Sequence, residues 1–209
     1  MTKIKICGLR RQEDIDMVNQ LRPDYIGFVF APSRRQITPA QATVLKHILH
    51  PAIQSVGVFV DMPTPELLNI AQSGAIDVIQ LHGHETEADI LAIKAHCALP
   101  VIKAVRVQSA AQIVQCDRLP CDYLLLDTFA PGQMGGSGTV FDWSMIPTIS
   151  KPYFLAGGLS PDNAGDVFRF CHPYAVDVSS GVETNGVKDY EKMKNFIEKV
   201  KEGDSHEQR

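Results

Sequence analysis

Short apolar runs recur along the chain, and between them lie segments whose apolar positions repeat with a helical period. The runs are IKICGL from residue 4, DYIGFVF from 24, SVGVFV from 55, DVIQLHG from 77, VIKAVRV from 101, YLLLDT from 123, YFLAGG from 153 and AVDVSS from 175. Each is short, apolar and bounded by turn residues, which predicts a strand. The intervening segments predict helices: RQEDIDMVNQL, PAQATVLKHIL, PELLNIAQSG, EADILAIKAH, SAAQIVQC, PDNAGDVFRF and DYEKMKNFIEKV. In the last, Tyr190, Met193, Phe196, Ile197 and Val200 share one face. Thr38-Pro39, Thr64-Pro65 and Ser160-Pro161 each place a capping hydroxyl before a proline suited to the first helical position.

Eight strands alternating with helices predict a parallel sheet covered by helices, closed as a single compact (β/α)8 TIM barrel. A doubly wound open sheet would carry G-x-G-x-x-G after its first strand, and ICGLRR is not that. The expected barrel occupies residues 1–201, with KEGDSHEQR frayed beyond Val200 so that 202–209 form a disordered polar tail. A long glycine-rich loop, FAPGQMGGSGTVFDWSMI, follows the sixth strand and ends in a short helix at most.

Side chains alternate along a strand, so an apolar helix-facing side turns the other residues into the barrel. By this rule Lys5 and Cys7 point inward from the first strand, Gln80 and His82 from the fourth, and Asp177 and Ser179 from the eighth. Asp127 ends the sixth strand. These polar residues cluster at the strands' C-terminal ends, where barrels of this kind carry their active sites. Taken alone, Cys7 reads as a small buried hydrophobe and Asp127 as a helix cap. Lys5 is harder to place as filler, because a buried ammonium needs a carboxylate or an anionic ligand beside it. Gly157 and Gly158 after the seventh strand, and Ser180 and Gly181 after the eighth, suit a phosphate site in the loops that commonly bind one. Gly135, Gly136, Ser137 and Gly138 suit a lid.

The 209 residues fit one sizeable core, with 44% hydrophobic and 21% charged residues as in an ordinary globular domain. A net charge of −4 predicts no binding to nucleic acid or to an anionic membrane. The five cysteines form no C-x-x-C pair, which argues against a disulfide framework or zinc ribbon and for a reducing, cytoplasmic setting. His82 with His84, or His47 with His50, lack a matching ligand cluster, so no metal is expected.

These blocks together resemble the phosphoribosylanthranilate isomerases. KICGL, GFVF followed by SRR, VGVFV, QLHG, LLLDT, GGSG before FDW, AGGL-x-P-x-N, and AVDVSSGVE with a nearby KD run in family order from Lys3 to Asp189. The resemblance implies an Amadori rearrangement of N-(5-phosphoribosyl)anthranilate to 1-(2-carboxyphenylamino)-1-deoxyribulose 5-phosphate in tryptophan biosynthesis, without cofactor or metal. It implies a phosphorylated small molecule as the only substrate partner and a monomer or homodimer. Carried over by motif, Cys7 is the general base and Asp127 the general acid. Arg35, at the preserved spacing before Thr38-Pro39, contacts the anthranilate carboxylate, with neighbouring Arg34 as the alternative. Gly157, Gly158, Ser180 and Gly181 hold the phosphate; Lys5, Gln80, His82 and Asp177 complete the substrate site. Lys5 lies two residues from Cys7, about 7 Å along the strand, and either favours its thiolate or pairs with a carboxylate. Other phosphate-binding barrel enzymes, such as a sugar-phosphate epimerase or the tryptophan synthase α subunit, lack a cysteine at this strand end. A non-catalytic phospho-ligand sensor would need the glycine loops but neither Cys7 nor Asp127.

Overall fold

The computed structural model describes residues 1–128 and 141–206. Eight parallel strands close into a barrel in chain order, with β8 pairing back to β1. They are β1 (Lys3–Cys7), β2 (Tyr25–Val29), β3 (Gln54–Phe59), β4 (Val78–Leu81), β5 (Val101–Val107), β6 (Tyr123–Thr128), β7 (Tyr153–Leu155) and β8 (Ala175–Val178). All eight predicted strands are present. Five helices follow the first five strands: α1 (Gln12–Leu21), α2 (Pro39–Ile48), α3 (Thr64–Gln72), α4 (Glu87–His96) and α5 (Ala110–Cys116). A sixth, α6 (Tyr190–His206), follows β8.

Closure separates two apolar layers, as the alternation of side chains requires. The outer layer joins strand and helix faces and includes Ile4, Ile6, Phe28, Leu124, Leu126 and Phe196. The inner layer fills the barrel with Tyr25, Val56, Val78, Ile102, Leu125 and Phe154, among others. Lys5 lies on the inner side and is completely buried. The barrel is thus a packed plug that holds a charged residue within its inner layer.

Three expectations about helices are corrected. PDNAGDVFRF forms turns and a short 3-10 segment, Asp166–Arg169, in place of an α-helix. Its own side chains compete for the backbone: Asn163 donates to the Gly158 carbonyl and accepts from the Ser160 N–H, folding the chain back on itself. Ser160 consequently caps no helix. Thr38 caps α2 as expected, accepting from the Gln41 N–H, but α3 begins at Thr64 itself, with Pro63 at the cap position and no side-chain cap.

The third correction concerns the C-terminus. α6 continues past Val200 to His206, so residues 202–206 are helical and not a frayed tail. Asp204 explains the extension: it accepts from the backbone N–H and the hydroxyl of Thr2 at 3.1 and 2.9 Å, tying the two ends of the chain together. The predicted lid residues Gly135, Gly136, Ser137 and Gly138 lie outside the described residues.

Candidate active site

A cavity of about 500 Å³ opens at the C-terminal ends of the strands. Cys7, Arg35, Gln80, His82, Asp127, Gly157, Gly158, Asp177 and Ser180 all line it. Nine of the predicted site residues therefore meet in one cavity. Lys5 sits below it, and Gly181 stands behind it, pressed against the Leu159 carbonyl so closely that a side chain has no room. The loops after β7 and β8 are thus in direct contact. Gly157 has φ +85° and lies against Thr128 and Asp127, so the turn after β7 requires glycine on both conformational and steric grounds.

Cys7 ends β1 with its thiol turned towards Gly27 of β2. A Cβ at residue 27 would come within 2.6 Å of the sulfur. Glycine at this strand position makes the space the thiol occupies. Beneath it, the Lys5 ammonium donates to Asp177 Oδ2 at 2.9 Å, and the two residues are register partners across β1 and β8. Burial pushes the Cys7 thiol up, and Asp177 adds to this, while the Lys5 and Lys188 ammonium groups oppose it. Burial would depress the Lys5 ammonium, but Asp177 and Cys7 outweigh that and hold it above its ordinary value. Of the two roles expected of Lys5, the pairing with a carboxylate is present, at Asp177.

Across the cavity, Asp127 closes β6. Its Oδ1 accepts from the Thr128 N–H at 2.8 Å, and its Oδ2 lies 3.1 Å from His82 Nε2. His82 Nδ1 lies 2.9 Å from Gln80 Nε2, so the amide orients the imidazole and the imidazole orients the carboxyl. All three are inward residues of β4 and β6 or their ends. His84 pairs instead with Asp61, away from this array. Among the described residues, no group of three or more His, Cys, Asp and Glu is arranged to hold a metal ion.

Sequence reasoning did not single out two buried residues that pair beside the site, Glu183 and Lys188. The chain from Glu183 to Lys188, ETNGVK, forms a two-stranded hairpin of β9 (Glu183–Thr184) and β10 (Val187–Lys188). Asn185 and Gly186 both have positive φ, 53° and 77°. An Asn-Gly pair flanked by extended residues signals such a hairpin and was available in the sequence. The hairpin sets Glu183 directly opposite Lys188, at 2.9 Å. Burial works against the Glu183 carboxylate, but Arg35 and Lys188 outweigh it and hold its pKa down at about 2. Burial depresses the Lys188 ammonium more than Glu183 raises it.

Glu183 pairs with both arginines that sequence reading offered, and the two are placed differently. Arg35 lines the cavity at 16% side-chain exposure, whereas Arg34 is 60% exposed and does not.

A sequence model of the N-(5'-phosphoribosyl)anthranilate (PRA) isomerases matches residues 4–199. The N-(5'-phosphoribosyl)anthranilate isomerase of Thermoanaerobacter sp. (strain X514) is 45% identical over 203 residues, covering 96% of this chain and 98% of that protein. The crystal structure of phosphoribosyl anthranilate isomerase from Thermus thermophilus superposes with a TM-score of 0.86 at 34% identity, covering 96% of this chain and 99% of that one. A phosphoribosyl anthranilate isomerase in complex with reduced 1-(o-carboxyphenylamino)-1-deoxyribulose 5-phosphate gives 0.82 at 33% identity, covering 97% and 100%. With fold, strand order and whole-length similarity in agreement, the chain belongs to the N-(5'-phosphoribosyl)anthranilate isomerase family.

Proposed function

We propose that this chain performs the isomerisation of its family with Cys7 as general base and Asp127 as general acid. The enzyme is an isomerase of tryptophan biosynthesis, acting on N-(5'-phosphoribosyl)anthranilate by an intramolecular redox rearrangement. The observation that carries the assignment of roles is the placement of a thiol and a carboxyl on opposite sides of one cavity, at the ends of β1 and β6.

The chemistry needs two proton transfers. Protonation of the furanose ring oxygen by Asp127 breaks the C1–O bond and leaves an iminium at C1. The iminium acidifies the neighbouring C2–H. The Cys7 thiolate takes that proton, and the resulting enolamine tautomerises to the 2-keto product. Lys5 and Lys188 favour the thiolate electrostatically. With the Gln80 amide donating to His82 Nδ1, His82 Nε2 carries the ring hydrogen and donates it to Asp127 Oδ2 at 3.1 Å, which orients the carboxyl group.

Binding follows the polarity of the cavity. The glycine loops at Gly157, Gly158, Ser180 and Gly181 suit the phosphate, because glycine lets backbone N–H groups approach anionic oxygens. Arg35 suits the aromatic carboxylate, where a guanidinium forms charge-assisted hydrogen bonds. Asp177, whose Oδ1 is buried without a hydrogen-bond partner among the described residues, suits a ribose hydroxyl. The five cysteines are all free, in keeping with a cytoplasmic enzyme.

Purified protein is expected to consume N-(5'-phosphoribosyl)anthranilate, followed as loss of anthranilate-type fluorescence, with no added metal and with EDTA present. Cys7→Ser and Asp127→Asn should each lower kcat by about 10²–10⁴-fold with circular dichroism unchanged. Wild-type turnover in either variant removes that residue from its role.

A further inference from the structure

The carboxylate of Glu183 is surrounded by three cations. Its Oε1 accepts from Arg35 Nε at 2.7 Å and from Lys188 Nζ at 2.9 Å. Its Oε2 accepts from Arg35 Nη2 at 3.0 Å and from Arg34 Nη2 at 2.9 Å. The side chain is 4% exposed and takes no part in lining the cavity. It is therefore placed behind Arg35, not in front of it.

The pairing with Arg35 is bidentate and side-on, through Nε and Nη2. A guanidinium held this way keeps its end-on edge, Nη1 with the second N–H of Nη2, for another planar anion. Its stem is constrained as well. Arg35 Cδ lies against the Cα of Gly8, which has φ +85°, so tightly that a Cβ there would collide with it. The long side chain is thus threaded between the residue after Cys7 and the Glu183 carboxylate. A flexible arginine loses several rotamers when it binds a ligand, and immobilising it beforehand removes that cost from binding.

The hairpin gives Glu183 a fixed platform. Lys188 donates to the Ser179 carbonyl at 2.8 Å, and Ser179 Oγ donates to the Cys7 carbonyl at 3.1 Å. Lys192 of α6 donates to the Glu183 carbonyl at 2.9 Å. β9 and β10 are accordingly anchored to the ends of β8 and β1 and to α6, and the carboxylate inherits that rigidity.

We propose that Glu183 is a positioning residue for substrate recognition: from the hairpin it holds Arg35 with one guanidinium edge turned to the substrate's aromatic carboxylate. The inference rests on the reading that Arg35 meets that carboxylate. Arg34 pairs with Glu183 from the outside, exposed and away from the cavity.

Steady-state kinetics with N-(5'-phosphoribosyl)anthranilate, together with binding of two probes, test this. The probes are the reduced product 1-(o-carboxyphenylamino)-1-deoxyribulose 5-phosphate and its phenylamino analogue without the carboxyl group. Glu183→Gln keeps the side-chain volume and should raise KM about tenfold with kcat within about twofold, the size of one lost charge-assisted hydrogen bond. The preference of the wild type for the carboxylated probe should shrink to the same extent in Glu183→Gln and in Arg35→Met. The double variant should be no weaker than Arg35→Met to within about twofold, because both changes remove one contact. Should Glu183→Gln fail to fold, Glu183→Asp keeps the charge while withdrawing it, and its KM should rise several-fold. Unchanged KM and probe preference in a folded Glu183 variant, or a double variant whose losses multiply, overturns the proposal while leaving Arg35 in place. An Arg35→Met enzyme with wild-type probe preference overturns the underlying reading and the proposal with it.

Discussion

At the scale of single residues, Cys7 shows how opposing effects of similar kind are arranged around one atom. Burial and Asp177 raise its pKa, and the ammonium groups of Lys5 and Lys188 lower it. The thiol is unreactive below its pKa and the thiolate is the base above it, so kcat/KM should climb as pH rises through the thiol's titration. Removing Lys5 takes away the largest opposing cation. In Lys5→Met, the inflection in the pH dependence of Cys7 alkylation by iodoacetamide is expected at higher pH than in the wild type, protected and unprotected by the reduced product. An unmoved inflection would mean that Lys5 serves only Asp177. Period-two alternation was enough to turn Cys7 and Lys5 inward from KIKIC; that Lys5 meets Asp177 depended on the register of β1 with β8.

Elements were legible to different degrees, according to how local their causes are. Strands and the longer helices follow from periodicity, and α2 from the Thr38-Pro39 start. PDNAGDVFRF was misread because Asn163 has two partners, Gly158 and Ser160, whose position after β7 no helical pattern reveals. The end of α6 was misread because Asp204 needs Thr2, at the opposite end of the chain. Gly203, within that extension, is a sharp test of tertiary over local preference. Alanine is favoured over glycine inside a helix by about 1 kcal/mol. Yet a Cβ at 203 would lie 2.6 Å from the ring of Phe168, which is 2% exposed, and 3.0 Å from the Gly165 carbonyl. Gly203→Ala is therefore expected to destabilise by about 1–2 kcal/mol in urea denaturation, the range for overpacking a core contact. A gain in stability would show that α6 lifts away at little cost.

At the scale of the whole molecule, the closed barrel buries an ion pair in its own interior. Lys5 and Asp177, 0% and 8% exposed, stand above the inner apolar layer of Tyr25, Val56, Phe154 and their neighbours. Breaking such a pair leaves one charge without a partner, which costs about 3–5 kcal/mol, whereas removing both charges is close to neutral. Lys5→Met should lower the unfolding free energy by that amount, and Lys5→Met with Asp177→Asn should recover most of it. If the double variant is no more stable than the single one, the pair contributes through packing and not through charge. Recovery of stability without recovery of activity would separate what the pair does for the barrel from what it does for the site.

The sequence by itself determined the repeating strand–helix order, the inward side of each strand and the residues able to do acid/base chemistry, because these depend on neighbours within a few positions. Their roles, Cys7 as base and Asp127 as acid, came from the family resemblance and not from those local patterns. Only the tertiary structure decided which distant groups met. The ring closure that brings β8 beside β1 joins Lys5 to Asp177. The seating of the ETNGVK hairpin joins Glu183 to Arg35 across 148 positions of chain. Contacts of that range are selected by the packing of whole elements, and no local pattern carries them.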